Sequence, residues 1–360
     1  MNISILYNAD RISTFYTLFP IFNYHGIKIF HFFKNIDTLL KKDKNRFLII
    51  IRFFKKRYEK ISENISLLKK LRNQYDKIFF FDDSDGADSL HFELIKYFDV
   101  YYKKQLYKDK QLYCKKIYGR QLYSHYYHEK YKIFDELPKY REPLIDIGQL
   151  KKLKIAYNLG IGNFPKSIIS RNVIKYIEKL FSHNIVRYIY KIFNTRLNLN
   201  NTKCNMKKEK QINARFGYKA YSNTIGFQRK HFLEKISNNK FFLTGFVPQK
   251  QYLSDLIQSF ATLSPYGWGE VCFRDFESII NRSLLIKPDM DHLETWPDVY
   301  RKNKTYIPID WDGELLSTVP NYFENRKNIY QIIDNCISVY MESYNKLDDR
   351  IDKMVCNILS

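Results

Sequence analysis

The chain has 360 residues and a formal net charge of +22, with 45% hydrophobic and 27% charged residues. This length fits about two domains, and the hydrophobic content suffices for sizeable cores, so wholesale disorder is excluded. The 43 Lys against 6 Ala, with an excess of Ile, Asn, Tyr and Phe, follow an AT-rich codon bias. The basic charge is therefore weak evidence for any particular partner.

The lengths of the apolar runs and the spacing of the cysteines bear on membrane insertion, secretion and zinc binding. The longest apolar runs, such as 47–51, end at a charge after five or six residues, whereas a bilayer-spanning helix needs roughly 20. The first residues lack a basic stretch and a small-residue cleavage site, and the 5 Cys are scattered without a CxxC pair. We therefore expect a cytoplasmic protein without a zinc site.

The first 100 residues alternate apolar runs with amphipathic stretches. The apolar runs predict β-strands at Ile3–Tyr7, Ile27–Phe32, Phe47–Ile51 and Ile78–Phe81. Helical periodicity predicts helices near 13–24 and 57–75. This alternation favours a parallel sheet covered on both faces. Residues 86–145 are polar and aromatic and match no regular pattern.

Residues 151–210 hold 14 basic and 2 acidic residues, a local net charge of +12. One apolar face of a basic helix is predicted by Ile169, Val173, Ile177, Leu180 and Phe181. The basic positions on this helix are Lys175, Lys179, Arg187, Lys191 and Arg196. Three interpretations stay open: contact with an anionic membrane surface, nucleic-acid binding, or a solvated lysine-rich helix.

A second α/β pattern begins after the polar stretch 198–211. Strands are predicted at 212–216, 241–246, 261–264, 283–287 and 305–309, with helices at 227–236, 249–258, 271–280 and across 322–358. Two tandem α/β halves usually bind ligand in the cleft between them, at the carboxyl ends of the strands.

The segment 263–290 is the most informative part of this half. Gly267 and Gly269 form a turn after a predicted strand, and Glu270 begins the next predicted helix. Seven helical residues rotate by about 700°, so Glu270 and Glu277 are expected to face the same way, with Arg274 nearby. Two such carboxylates suit the recognition of vicinal hydroxyls; a solvated helix face with Glu–Arg pairs is the alternative.

Four segments of this half carry a family resemblance: SPYGWGE at 264–270, RDFES at 274–278, LIKPDMDHLETWPDVY at 285–300 and TYIPIDWD at 305–312. Together they resemble the C-terminal half of GT-B glycosyltransferases of families 1 and 4, of the type found in bacterial surface-polysaccharide pathways. The resemblance covers about residues 212–312. The N-terminal half shares only the strand–helix rhythm.

The resemblance implies an α/β protein in which two Rossmann-like domains face each other across a cleft. The implied parts are an acceptor domain at 1–150, a basic helix and linker at 151–210, a nucleotide-sugar domain at 211–325 and a C-terminal helical region at 326–360. The implied activity is metal-independent transfer of a hexose from a nucleotide-sugar donor to a saccharide or lipid-linked acceptor, with no cofactor. Such an acceptor is compatible with peripheral attachment at the inner membrane face.

Residue roles follow from the same resemblance. Arg215 and Lys219, after the first strand of this half, would neutralise the donor diphosphate, and Glu277 would hold the ribose hydroxyls. Cations in those positions offset the charge that develops on the leaving diphosphate. The remaining donor contacts are assigned to Gly267, Trp268, Gly269, Arg274 and His292. Glu270 would touch the transferred sugar, although it lies in a Glu-x6-Glu rather than the family's Glu-x7-Glu spacing.

Two Asp-x-Asp pairs offer another chemistry. Asp83 with Asp85, and Asp310 with Asp312, match the metal-binding carboxylates of GT-A glycosyltransferases, which hold Mn²⁺ or Mg²⁺ on the donor diphosphate. We prefer a different use for Asp83 and Asp85, at the tip of a strand facing the cleft. There they would bind the acceptor hydroxyl or act as general base.

Two further expectations concern the loops and the partners. His292 and Trp296 follow a predicted strand, in a loop that would overhang the cleft. A hypothesis of a different class is a non-catalytic basic protein that binds nucleic acid or an anionic membrane. Because no recognised nucleic-acid module accompanies the basic stretch, we expect no nucleic-acid partner.

Overall fold

A computed structural model describes residues 2–8, 12–54, 60–88, 91–158, 208–320 and 326–359, with isolated positions between 160 and 188. The strands are β1 (Ile3–Tyr7), β2 (Phe30–Phe33), β3 (Phe47–Ile51), β4 (Lys77–Asp82), β5 (Val100–Lys103), β6 (Gln105–Tyr107), β7 (Ile117–Tyr118), β8 (Tyr140–Arg141), β9 (Leu153–Ile155), β10 (Glu209–Asn213), β11 (Phe242–Leu243), β12 (Ser259–Leu263), β13 (Leu284–Pro288), β14 (Leu293–Thr295) and β15 (Ile307–Ile309). The α-helices are α1 (Ile12–Asn23), α2 (Ile36–Lys42), α3 (Ile61–Arg72), α4 (Leu122–Tyr131), α5 (Asn223–Ile236), α6 (Gln249–Gln258), α7 (Phe273–Ile280), α8 (Arg326–Asn345) and α9 (Leu347–Leu359).

The first half is built on a six-stranded sheet in the order β2-β1-β3-β4-β5-β9, with every pair parallel. β1 and β3 are buried along their whole length, as expected of strands covered on both faces. The last strand, β9, ends at Ile155, so this sheet extends past residue 150.

The second half is built on a five-stranded parallel sheet in the order β11-β10-β12-β13-β15. The turn between α7 and β13 contains Arg282 with a φ of 53°. This residue therefore takes the left-handed conformation that glycine favours. Two Rossmann-like parallel sheets confirm the expected fold class.

The segment 105–141 of the first half reaches across to the second half. β6 pairs with β14 as an antiparallel two-stranded sheet, and α4 packs on α5. Asp312 accepts hydrogen bonds from Tyr126 and Tyr131 of α4, at 2.5 and 3.0 Å, and pairs with Lys130. The two halves are thus joined by backbone and side-chain contacts as well as by the chain itself.

The C-terminal helices connect the same halves from another side. α8 packs on β13 of the second sheet, and α9 returns to α1 of the first half. Arg350 of α9 donates to the carbonyl of Ile155 at 2.6 Å, at the end of β9. No helix among the described residues has the length and apolarity that a membrane crossing requires.

Most of the predicted basic helix lies outside the described residues, including Ile169, Lys175, Lys179, Lys191 and Arg196. The described positions 173, 176, 177, 180 and 184–188 are helical. Arg187 is among them, and its Nε donates to the carbonyl of Phe22 at 2.8 Å.

Candidate functional site

The carboxyl ends of the two sheets meet at the glycine turn after β12. The backbone N–H of Ala87, beyond β4, donates to Oε2 of Glu270 at 3.0 Å. The Tyr123 hydroxyl of α4 donates to the carbonyl of Gly267 at 2.6 Å. A Cβ on Gly269 would lie 1.9 Å from the backbone oxygen of Asp85, so only glycine permits this approach. The turn is therefore a contact between the halves.

Glu270 is fully buried at this contact, with an exposed fraction of 0%. Burial raises the pKa of its carboxyl, although the hydrogen bond from Ala87 opposes the shift. α7 begins only at Phe273, because Cys272 and Asp275 form a capping box there. Glu270 thus precedes the helix, and the expectation that it shares a helical face with Glu277 is wrong. The predicted contact of Glu270 with the transferred sugar stays a prediction.

Arg215 follows β10, as the sequence predicts, but its charge is already compensated. Its Nε pairs with Oδ2 of Asp255 at 2.9 Å, and its Nη1 donates to the carbonyl of Thr244. Lys219, four residues later, is exposed. Arg215 therefore stabilises the start of the second sheet and offers little charge to a ligand.

Among the described residues, Arg229 and Arg274 are two cations of this region that make no direct ion pair with a carboxylate. Arg229, on α5, is 4% exposed and donates to the carbonyls of Gly217 and Tyr266 at 2.5 and 2.6 Å. Arg274, on α7, donates to the carbonyl of Arg215 at 2.9 Å. Both guanidiniums lie against the ring of Phe216, at 5.3 and 5.6 Å from its centroid.

This arrangement concentrates positive charge in a desolvated place. Burial lowers the pKa of Arg229, and the charge of Arg274 lowers it further. The two like charges repel each other, and carbonyl dipoles, the rings of Phe216 and Tyr221 and the Tyr252 hydroxyl compensate them only in part. We name Arg229, Arg274 and Phe216 the arginine pair site.

Aromatic side chains border the arginine pair site. The rings of Tyr221 and Trp268 lie 5.2 Å apart, and the Arg229 guanidinium lies 4.6 Å from the Tyr221 centroid. Trp268 is 52% exposed, while Gln121 of the first half donates to its carbonyl at 3.0 Å. Gly217 has open space where a Cβ would be. The border thus offers an accessible flat surface beside the cations.

Glu277 lies on α7 three residues after Arg274, on the same helix face. Its Oε2 accepts a hydrogen bond from the Tyr252 hydroxyl at 2.6 Å, and that hydroxyl also interacts with Arg274. Arg215, Lys219 and Glu277 were expected to converge on the donor. Arg274 contacts the backbone carbonyl of Arg215 and the Tyr252 hydroxyl, which in turn donates to Glu277, so Arg215 and Glu277 are linked indirectly. No described contact joins Lys219 to them.

The carboxylates after β4 differ from one another. Asp82 is buried beside Lys103, which lowers the pKa of Asp82 although burial opposes the shift. Asp83 is also buried; its Oδ1 lies 3.1 Å from Arg52, and Thr17 donates to Oδ2 at 3.2 Å. Burial raises the pKa of Asp83 despite the opposing charge of Arg52.

Asp85 is the open member of this segment. Its side chain is 56% exposed and lies 3.8 Å from Lys104. Asp83 is fully buried, whereas Asp85 is exposed next to the glycine turn. The catalytic role of both carboxylates stays a prediction.

The remaining predicted residues lie in the contact between the halves. His292 packs between the rings of Tyr107 and Trp311, at 5.9 and 5.3 Å, and burial lowers its pKa to about 4. The expectation that His292 lies in a loop overhanging the cleft is wrong, because β14 begins at Leu293 and pairs with β6. Asp310 caps the following turn and Asp312 binds α4.

Metal binding by carboxylate clusters finds no support in this geometry. Within the described ranges, no three His, Cys, Asp or Glu side chains are placed to hold a metal ion. The carboxylates of Asp83 and Asp85 are engaged with different cations, Arg52 and Lys104.

Sequence reasoning missed Arg229. It stands in a helix beside Lys230, and nothing in that local pattern separates a buried arginine from a solvated lysine. The sequence feature that could have indicated a role for Arg229 is the pair of aromatic residues Phe216 and Tyr221, which precede the helix and lie against the Arg229 guanidinium.

Comparison with known proteins gives similarity in structure alone. No protein-family model and no curated protein matches the sequence. The chain is similar to a glycosyltransferase from Rickettsia africae, at 10% identity and a TM-score of 0.44, over 100% of this chain and 99% of the other. It is also similar to HepE from Anabaena in complex with UDP, at 9% identity and a TM-score of 0.44, over 99% and 100%. A third is an alpha-glucosyltransferase in complex with UDP-glucose and DNA containing an abasic site, at 11% identity and a TM-score of 0.38, over 100% of each chain.

Proposed function

We propose that the protein is a glycosyltransferase that binds a nucleotide-sugar donor at the carboxyl edge of its second sheet. One observation carries this proposal: Arg229 and Arg274 lie against the same ring, and neither makes a direct ion pair with a carboxylate among the described residues. Glu277 and the accessible Trp268 lie beside them. A nucleotide sugar has a matching sequence of groups: a diphosphate, a ribose diol and flat rings.

The physical argument concerns the leaving group. When the bond between sugar and diphosphate breaks, negative charge grows on the diphosphate oxygens. Guanidiniums already fixed in a dry place stabilise that charge without reorganising, and they bind phosphate in a bidentate manner. Arg229 is fixed by the carbonyls of Gly217 and Tyr266, and Arg274 by that of Arg215. Two such cations supply the charge that a divalent metal supplies in other transferases, so we propose metal-independent transfer.

The other donor contacts follow from position. The Glu277 carboxylate would accept hydrogen bonds from the ribose hydroxyls, in exchange for or beside that of Tyr252. Trp268 would stack on a ring of the donor, and Gly267 and Gly269 keep the turn close enough for this. Lys219, on the exposed loop, would reach the diphosphate from the solvent side. Arg215 and His292 act indirectly, through packing.

The acceptor side of the proposal rests on Asp85. Its exposed carboxylate lies 3.8 Å from Lys104, three residues after β4, and its backbone carbonyl lies against the glycine turn that carries Trp268. A carboxylate there can accept a proton from an attacking hydroxyl. By the sequence resemblance, we propose transfer of a hexose to a saccharide or lipid-linked acceptor in surface-glycan synthesis.

The test is donor-dependent release of nucleoside diphosphate from a panel of nucleotide sugars. Arg274→Ala should lower kcat/KM by about 10²–10³-fold, because it removes one preorganised donor from the leaving group. Arg301→Ala is the matched control, since Arg301 is half-exposed and pairs only with Asp298 on the surface. Equal activity in both variants would remove the arginine pair site from the mechanism. Loss of release in EDTA would replace it with the metal-dependent GT-A alternative.

A further inference from the structure

A cavity of about 480 Å³ opens at the free edge of the first sheet, away from the arginine pair site. β2 is the terminal strand of that sheet and pairs only with β1. The cavity lies between this strand and the helical residues 184–188, two of which line it. Its volume falls within the range of about 300–1,000 Å³ in which ligand pockets lie.

The lining combines hydrocarbon-like walls with cations. Phe22, Phe30, Phe32 and Phe33 form most of the apolar wall. The polar lining comes from Lys28, His31, Arg187 and Asn184, and no acidic side chain is among the described lining residues. The cavity therefore suits an amphiphile: a hydrocarbon chain against the rings and an anionic head at the cations.

The surface beside the cavity is apolar and exposed. Tyr176, Leu180 and Tyr188 are 69%, 67% and 67% exposed, although Val186 of the same segment is fully buried in the core. Phe181, also exposed, is tied to the first sheet because Lys34 beyond β2 donates to its carbonyl at 2.8 Å. This segment thus presents apolar side chains outward as well as inward, which a helix surrounded by water rarely does.

The positive charge of residues 151–210, which include this helical segment, complements an anionic membrane surface. Residues 151–210 carry a local net charge of +12. A basic segment with outward aromatic and aliphatic side chains matches the interfacial helices that lie in the headgroup region of anionic bilayers. Electrostatics attracts the segment to the surface, and apolar burial then holds it there.

We propose that this face docks on an anionic membrane and that the cavity takes one anionic phospholipid, with its chain against the phenylalanines and its phosphate at Lys28 and Arg187. The Leu180 and Tyr188 side chains enter the headgroup boundary around that lipid. The proposal does not depend on the donor site.

The first test is sedimentation with phosphatidylcholine vesicles, with and without phosphatidylglycerol. The protein should pellet with the anionic vesicles only. Leu180→Asp should abolish this binding, whereas Leu137→Asp, at another exposed leucine, should not. Lys28→Glu should weaken binding at least roughly fivefold, since each lysine near an anionic surface contributes about that factor. Lys240→Glu, on an exposed lysine of the second half, is its control.

The second test isolates the cavity from the bilayer by thermal shift with dodecyl phosphate. This amphiphile should raise Tm, while inorganic phosphate and dodecyl maltoside at equal concentration should not. Lys28→Glu should reduce the shift and Leu180→Asp should keep it. Equal binding to neutral and anionic vesicles, equal losses in Leu180→Asp and Leu137→Asp, or no Tm shift with dodecyl phosphate would each overturn the proposal. Nucleotide binding measured on the same variants should stay unchanged, which separates this surface from the proposed transfer reaction.

Discussion

Buried charges at the carboxyl edge of the first sheet are paired with opposite charges, whereas two arginines at the carboxyl edge of the second sheet are not paired within the described ranges. After β4, the buried carboxylates of Asp82 and Asp83 each lie beside a cation, Lys103 and Arg52. After β10 and β12, the guanidiniums of Arg229 and Arg274 contact carbonyls, aromatic rings and a tyrosine hydroxyl, and among the described residues neither forms a direct ion pair with a carboxylate. An internally neutralised edge contributes to stability, while the edge with surplus positive charge is the one at which we propose that the donor binds.

This contrast separates residues that share a chemical type. Arg215 lies next to Arg274 yet belongs with the neutralised groups, because Asp255 pairs with it. Asp85 lies two residues after Asp83 yet belongs with the accessible groups. Substitutions at these positions can therefore break or sharpen the comparison.

The largest effect on stability is expected at Arg215. Arg215→Ala leaves the half-buried Asp255 without its partner, which should lower the free energy of unfolding by about 3–5 kcal/mol. Urea denaturation of the single variants and of the double variant with Asp255→Ala measures this. The double variant should lose less than the sum of the two, because the unpaired carboxylate is removed. Arg274→Ala, by contrast, should retain stability; a large loss there would erase the distinction between the two arginines.

A smaller effect divides the two aspartates after β4. Asp83→Asn should cost about 1–3 kcal/mol of stability, because Arg52 loses its charged partner while the Thr17 contact can persist. Asp85→Asn should change stability by no more than about 0.5 kcal/mol and lower kcat instead, by about 10²–10⁴-fold if it removes a general base. Chemical denaturation and steady-state kinetics on both variants decide this. The reverse pattern would make Asp83 the catalytic carboxylate.

The smallest effect concerns His292, between the two edges. Its pKa of about 4 in the folded protein is below the ordinary value of about 6.5. Between these pH values the His292 imidazole is protonated in the unfolded chain but neutral in the folded chain. The free energy of unfolding therefore falls as the pH drops from about 6.5 to about 4. His292→Gln should lessen this fall, by up to about 1.4 kcal/mol per pH unit. Parallel slopes for wild type and variant between pH 7 and 4.5 would contradict the buried neutral imidazole.

The bounds of helices and strands could be predicted where the pattern of buried residues is visible within one short segment of the sequence. β1, β3 and α6 have the predicted bounds, because strands buried on both faces are continuous apolar runs and an amphipathic helix shows its period. The local pattern also located the turn at Gly267 and Gly269 and, to within two residues at its start, the helix that carries Glu277.

The rest depended on contacts between distant parts of the chain. Residues 86–145 match no pattern because tyrosines such as Tyr123 and Tyr126 have partners more than a hundred residues away. Glu270 was assigned to a helix because the capping box that delays the start to Phe273 uses a cysteine. Whether an arginine is neutralised, as for Arg215 and Arg229, is decided by partners that spacing cannot reveal.

The pairing of β6 with β14 has a mechanical consequence. Backbone hydrogen bonds between these strands fasten the two lobes along one side, and each would cost about 1 kcal/mol to break. Separating the two sheets would therefore require breaking this pairing together with the contacts that α4, α8 and α9 make between the halves.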